Sequence, residues 1–72
     1  MGEWNELVES LNSQYRDDYY SRVICESLLL KVEEKNLMEN VTHKMESYLS
    51  DNNHLDALIK ACHDFNITAN YE

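Results

Sequence analysis

Glu39, His43 and Glu46 are the side chains whose types and spacing come nearest to a site for chemistry. At positions i, i+4 and i+7 they share one side of a predicted helix, where two carboxylates and an imidazole could approach a common metal ion or proton. Ferritin-like metal sites instead place Glu before His at i, i+3, repeat that motif and bury the carboxylates. We therefore interpret the three residues as a hydrogen-bonded surface group with an ordinary titratable histidine, and we predict no metal site.

Two cysteines, Cys25 and Cys62, lie in apolar patterns, which is typical of small core residues in a reducing compartment. Cys62 precedes His63, but adjacent residues point about 100° apart on a helix, which is poor geometry for a thiolate and its base. The sequence contains no CxxC pair, glycine-rich phosphate loop or serine elbow, and its single glycine is Gly2. We expect a protein that is not an enzyme and holds no cofactor.

Charge and length narrow the classes of function further. The 72 residues include 14 acidic and 6 basic side chains, and the formal net charge of -8 repels phosphate backbones and anionic membranes. A hydrophobic fraction of 43% is too high for a disordered acidic tail, so we predict one folded domain over residues 1–72. No apolar run approaches the roughly 20 residues that span a bilayer, and no signal peptide precedes the cysteines. We expect a cytoplasmic protein that binds neither membrane nor nucleic acid directly.

The stretch from residue 19 to residue 32, YYSRVICESLLLKV, is the element around which the rest must be arranged. Helical spacing places four apolar side chains on one face, namely Tyr20, Val23, Ile24 and Leu28. Three more, Cys25, Leu29 and Val32, lie on other faces. A helix that is apolar most of the way round needs several neighbours, which predicts the centre of a small bundle. Short apolar runs are also compatible with strands, but the absence of Gly and Pro between residues 3 and 72 argues against hairpins.

We predict an all-α fold, a compact bundle or orthogonal array of about four short helices. The expected helices span approximately residues 3–15, 18–34, 37–50 and 54–65, followed by a tail at 66–72. We expect this tail to be frayed from Thr68 to Glu72, unless Tyr71 pins it. The second and third helices separate near residues 34–36, because Lys31, Glu34 and Lys35 interrupt the apolar face. One long helix from residue 18 to residue 50 is the alternative.

Apolar stripes at helical spacing predict the buried faces of the other three helices. In the first helix the stripe comprises Trp4, Leu7, Val8, Leu11 and Tyr15. In the third helix it comprises Leu37, Met38, Val41, Met45, Tyr48 and Leu49. In the last helix it comprises Leu55, Leu58, Ile59, Cys62 and Phe65, with Ala57 and Ala61 outside it.

Polar residues at the breaks predict where the helices begin and end. Asp17 or Asp18 is placed to cap the start of the second helix. Asn36, with an acid three residues later, is placed as a capping-box-like start for the third helix, and Asn53 as the cap of the last. Asn66 can take the left-handed conformation that ends a helix where glycine is absent, after which the next apolar residue would fold back.

The first helix carries the clearest candidate binding residues. Its outer side bears Glu3, Glu6 and Glu9 with no basic residue among them, and we expect Asp17 and Asp18 to extend this acidic patch. Such a pattern is typical of a solvated face whose first acids suit the helix dipole. It also fits an acidic stripe that meets a basic partner protein.

We predict a protein-binding module, specifically a small acidic inhibitor or regulator that occupies a basic surface on another protein. If that surface normally binds nucleic acid, the carboxylates stand in for phosphates, as in DNA mimics of the kind often carried by phages. A second version of this hypothesis depends less on charge. In it the partner is anchored by Trp4, Tyr15 and Tyr19, since aromatic residues are enriched at interfaces.

Two other functions are compatible with the predicted fold. A structural or adaptor protein would bury surplus apolar surface in a homodimer through Cys25, Leu29 and Val32. A helix-turn-helix DNA reader would use the last helix as its recognition helix. That helix carries one basic residue, Lys60, and two aspartates, so its net charge would repel DNA rather than attract it.

Overall fold

In the computed structural model, which describes residues 2–69, the chain forms four α-helices. They are α1 (Gly2–Gln14), α2 (Tyr19–Glu34), α3 (Met38–Tyr48) and α4 (His54–Asp64), and no strand occurs among the described residues. The all-α prediction is confirmed, and each helix bound lies within about two residues of its expected position. The alternative of one helix from residue 18 to residue 50 is wrong. Tyr71, expected to pin the tail, lies outside the described residues.

The helices enclose one apolar core to which all four contribute. Helix α4 packs against α3 and α2, and α1 packs against α2 and α3. Helix α2 also contacts α3, so α2 contacts each of the others. Among residues 2–69 no polar or charged side chain is buried. The fully buried residues come from every helix and include Leu11, Leu28, Val32, Val41, Met45, Leu58 and Cys62. Apolar packing therefore determines how the helices are arranged.

The buried face of α4 is rotated from the predicted one. Ala57 and Ala61, expected outside the apolar face, are fully buried, whereas Leu55 and Ile59 are only partly buried. Helix α4 lies against both α2 and α3, and small side chains let two neighbouring helices approach it closely. The prediction for the two alanines was wrong because hydrophobic strength alone does not show where helices make their closest approach.

A hydrogen-bonded turn at Asn36 separates α2 from α3. The N–H of Asn36 donates to the Glu33 carbonyl at 3.1 Å, and the N–H of Leu37 donates to the Val32 carbonyl at 3.0 Å. Together with a φ of 58° at Asn36, these bonds form a Schellman motif that ends α2. The prediction that Asn36 caps α3 was wrong, because the cap position of α3 is Leu37, which makes no side-chain capping bond.

The end of α4 repeats the motif, as predicted. Asn66 has a φ of 61°, and its N–H donates to the His63 carbonyl at 3.0 Å. The N–H of Ile67 donates to the Cys62 carbonyl at 2.9 Å, and the Ile67 side chain is buried in the core. Asparagine thus supplies the left-handed residue that glycine usually supplies at helix ends.

Side-chain caps begin α2 and α4 at predicted residues. One carboxylate oxygen of Asp18 accepts from the Ser21 N–H at 3.2 Å, and the other accepts from the Ser21 hydroxyl at 2.9 Å. Asn53 Oδ1 accepts from the Asp56 N–H at 2.8 Å. The backbone bond from Ser21, followed by the bond from its hydroxyl, lowers the pKa of Asp18 from its ordinary value of 3.8.

Replacing Asn36 by alanine should lower the free energy of unfolding by about 1 kcal/mol, because a Cβ-bearing residue without a local side-chain hydrogen bond disfavours positive φ. Asn36→Gly should match or exceed the wild type. The measurement is urea unfolding followed by circular dichroism. Asn40→Ala, an exposed position inside α3, serves as the control and should not destabilise the protein. Equal stability of Asn36→Ala and Asn36→Gly would contradict the left-handed turn.

Asp18→Asn should flatten the fall in stability in acid. Because the folded pKa lies below the unfolded value, the charged cap stabilises the fold above pH of about 3.8. That contribution is lost as pH falls through the lower folded pKa. Urea unfolding between pH of about 2 and about 6 measures how steeply the free energy of unfolding changes with pH.

Asp17→Asn is the matched control for the Asp18 variant. Asp17 is exposed and makes no capping bond among residues 2–69, so its variant removes the same charge without touching the helix start. It should keep the wild-type pH dependence. If Asp17→Asn and Asp18→Asn behave alike, the charged cap does not cause the acid sensitivity.

Candidate protein-binding surface

The outer side of α1 is anionic. Glu3, Glu6 and Glu9 are all exposed, and none forms an ion pair or a side-chain hydrogen bond with any residue from 2 to 69. The opposite side of the helix is anchored in the core by Trp4 and Leu11. The three carboxylates therefore stand on a fixed helix with their charges uncompensated by a bound cation side chain.

Two arginines border this acidic face where α1 meets α2. A shallow groove there is lined by Glu9, Asn12, Ser13, Arg16, Arg22 and Glu26. Arg22 Nη1 donates to the Arg16 carbonyl at 3.0 Å, and Arg22 Nε lies 3.9 Å from a carboxylate oxygen of Glu26. The anionic face therefore meets positive charge beyond Glu9.

The expected extension of the acidic patch is consequently interrupted. Asp17 and Asp18 are exposed as predicted, but they follow Arg16 in the chain, and the Asp18 carboxylate is engaged in capping α2. Asp18 also accepts the backbone N–H of Arg22 on its carbonyl. The five carboxylates assigned to the patch do not form one uninterrupted surface, and Glu3, Glu6 and Glu9 are its continuous part.

Two of the three predicted aromatic anchors are structural. Trp4 is buried, and its Nε1 donates to a carboxylate oxygen of Glu33 at 3.2 Å. Tyr15 is partly buried, and its hydroxyl oxygen accepts the backbone N–H of Leu55 at 3.0 Å, which joins the end of α1 to the start of α4. The core and its polar edge therefore already use both side chains. Tyr19 is exposed and remains available.

The residues assigned to self-association are also in the core. Cys25, Leu29 and Val32 are buried, because α1, α3 and α4 together cover the inner side of α2. They cannot meet a second copy without opening the fold. The exposed apolar residues of α2 are different ones: Tyr19 at 67% exposure, Tyr20 at 79% and Leu30 at 59%. Tyr20 is exposed although its spacing places it on an apolar face with Ile24 and Leu28.

The correct register of α2 was visible in the sequence. Cys25, Leu28, Leu29 and Val32 recur at i, i+3, i+4 and i+7, which is the pattern of one buried face. A stripe that begins at Tyr20 overlaps this one, and the two cannot both face inward. Choosing the more regular stripe would have left Tyr19, Tyr20 and Leu30 outside.

The histidine and carboxylates of α3 do not converge. His43 Nδ1 lies 3.7 Å from a carboxylate oxygen of Glu46, and both side chains are largely exposed. Within residues 2–69, Glu39 is exposed as well and forms no ion pair or side-chain hydrogen bond with either of them. Across residues 2–69 no group of three or more His, Cys, Asp or Glu side chains is arranged to hold a metal ion.

Both cysteines are free thiols inside the core, as the sequence predicts. Burial raises the pKa of Cys25 to about 11, with the nearby charge of Glu26 contributing, and raises the pKa of Cys62 to about 12. Because the thiolate is the reactive form, neither residue is suited to nucleophilic or redox chemistry at neutral pH.

Comparison with protein-family models, curated proteins and solved structures finds no match to this chain. Of the helices in residues 2–69, none combines the length and the apolar character that crossing a bilayer requires. The surface chemistry of the chain itself is therefore the basis for a functional proposal.

Neither thiol should react quickly with Ellman's reagent in the folded protein at pH of about 8. With a pKa of about 11, Cys25 is ionised there in about one molecule in a thousand, and it is also shielded from the reagent. Both thiols should react at once in guanidinium chloride. Ser13→Cys, at an exposed position of α1, is the positive control and should react rapidly in the native state. Rapid native reaction of Cys25 or Cys62 would contradict their burial.

Proposed function

We propose that this protein is a non-enzymatic protein-binding module, a small acidic inhibitor or regulator that occupies a basic surface of a partner protein. The observation that carries the proposal is the outer side of α1, where Glu3, Glu6 and Glu9 are exposed and have no ion-pair partner within residues 2–69. A basic partner would supply the missing counter-charges.

Net charge and the fixed position of the glutamates both favour this mode of binding. The net charge of -8 attracts a basic surface over a distance and speeds encounter, which is the main contribution of rim charges to association. The glutamates are also held on one side of a helix whose opposite side is fixed in the core, so binding orders their side chains but need not order their backbone. A basic surface that normally binds nucleic acid is one version of such a partner.

The alternative functions have less support from the described residues. A homodimer through Cys25, Leu29 and Val32 would require residues that the monomer already buries. A DNA reader built on α4 would depend on Lys60, whose ammonium donates to Asn52 Oδ1 at 3.0 Å, and α4 also carries Asp56 and Asp64. That helix would repel a phosphate backbone.

Glu6→Gln with Glu9→Gln should reduce capture of the partner from a nuclease-treated lysate at about 0.1 M salt. Exposed ion pairs each contribute about 0.2–1 kcal/mol, so losing two should weaken binding roughly twofold to thirtyfold. For the wild type, capture should also fall at about 0.5 M salt, where the screening length is about half as long. Quantitative mass spectrometry of the captured proteins is the measurement.

Asp51→Asn with Asp56→Asn is the matched control. It removes two exposed carboxylates near the start of α4 and changes the net charge equally. This control should retain the partner almost as well as the wild type. If both double variants lose the same amount of partner, net charge rather than the α1 face is responsible. If neither variant nor salt changes capture, binding is not led by charge and the proposal is wrong.

A further inference from the structure

Helix α2 presents a second apolar stripe, which faces outward. Within residues 2–69 the exposed large apolar side chains are Tyr19, Tyr20 and Leu30, and all belong to α2. Tyr19, Val23 and Leu30 stand at i, i+4 and i+11, so they share one face of the helix over about 16 Å. Val23 is partly exposed between the other two. We call these three residues the outer stripe.

The outer stripe lies beside the acidic face of α1. Three observations place the two helices side by side along their length. Trp4 Nε1 bonds to Glu33, and Arg22 bonds to the Arg16 carbonyl. The groove between the helices is lined by Glu9 and Glu26 together with these two arginines. On α2, residues 22, 26 and 33 therefore mark the side next to α1, and the outer stripe follows immediately around the helix. Apolar and acidic surfaces thus share one side of the molecule.

Tyr20 lies on the other side of the outer stripe. It is about 100° around the helix from Tyr19, in the direction of Lys31, whose ammonium donates to the Thr68 carbonyl at 2.6 Å. The rings of Tyr19 and Tyr20 meet edge to face, with centroids 6.0 Å apart. Tyr20 therefore faces the carboxyl-terminal segment rather than α1, although it matches Tyr19 in type and exposure.

We propose that the outer stripe and the α1 glutamates form one docking surface for a cationic amphipathic helix of a partner protein. The apolar residues of that helix would cover Tyr19, Val23 and Leu30, and Lys or Arg residues along one edge would meet Glu6 and Glu9. The stripe extends over about three helical turns, the length that one short helix covers. The inference rests on the proposed function and names the chemistry of its partner.

Charge decides between this partner and a second copy of the same chain. Two copies would each bring a net charge of -8, whereas a cationic helix complements it. Three side chains on one helix face also bury far less than the roughly 1,200–2,000 Å² of a stable specific dimer. The net negative charge, with Glu6 and Glu9 exposed nearby, therefore favours a basic partner.

The test titrates a labelled peptide of about 18 residues, built only from Leu and Lys with Leu at i, i+3, i+4 and i+7, into the full-length protein. A scrambled peptide of the same composition is the comparison. Fluorescence anisotropy measures affinity, and amide chemical shifts of the ¹⁵N-labelled protein locate the contact. The amphipathic peptide should bind at least about tenfold more tightly than the scrambled one, with shifts on α1 and the outward side of α2.

Tyr19→Ser and Leu30→Ser should each weaken binding of the amphipathic peptide by about fivefold or more, since apolar anchors dominate such contacts. Tyr20→Ser is the matched control and should change affinity by less than about twofold. Both tyrosine variants remove the same exposed ring from neighbouring positions, and circular dichroism verifies that each variant is folded. Equal losses for Tyr19→Ser and Tyr20→Ser would overturn the assigned face.

Failure of the docking surface can be told apart from failure of the proposed function. The docking role of the outer stripe is wrong if Glu6→Gln with Glu9→Gln abolishes binding while Leu30→Ser does not, or if the scrambled peptide binds equally well. Either result is still compatible with the proposed acidic binding module. Absence of binding at about 1 mM peptide also overturns the outer stripe, and partner capture still tests the acidic face. A dimer in sedimentation that Leu30→Ser dissociates would assign the stripe to a second copy instead.

Discussion

Burial of α2 between the other three helices is the constraint on which the rest of the structure depends. Cys25, Leu28, Leu29 and Val32 form its inner face and lie in the core, and α2 contacts α1, α3 and α4. No buried polar side chain interrupts this packing in residues 2–69. In a chain of 72 residues with no buried ion pair or disulfide in the described part, apolar contact between the helices must position them.

The helices were predictable because their signals are local. Asp18 and Asn53 precede their helices at capping distance, and Asn66 ends the last one. Asn36 was assigned the wrong role because the same residue type serves both as an N-cap and as a left-handed C-terminal residue. Its hydrogen bonds point back into α2, and nothing in the neighbouring residues distinguishes that direction from a bond forward into α3.

The buried faces of the helices were less predictable than the helices themselves, because the buried face depends on which neighbouring helix packs against it. The sequence of α2 contains overlapping apolar stripes, and only one can face the core. The fold buries Cys25 and Leu29 and leaves Tyr20 and Leu30 outside. The acidic face of α1 could be located from the sequence because no alternative apolar stripe competes for it. Trp4, on the inner side of that helix, was predicted as a partner anchor from its residue type alone. Its bond to Glu33 could not be foreseen because it joins residues far apart in the chain.

The two stripes of α2 connect stability with the proposed binding. The inner stripe is held by the other helices and keeps Tyr19 and Leu30 on the outward side of α2, so covering the outer stripe does not require the backbone to be ordered. A ligand that binds only the folded state stabilises it by RT ln(1 + [L]/Kd). A domain near the lower size limit has little stability in reserve. A partner on the outer stripe would therefore stabilise a helix that packs against the other three.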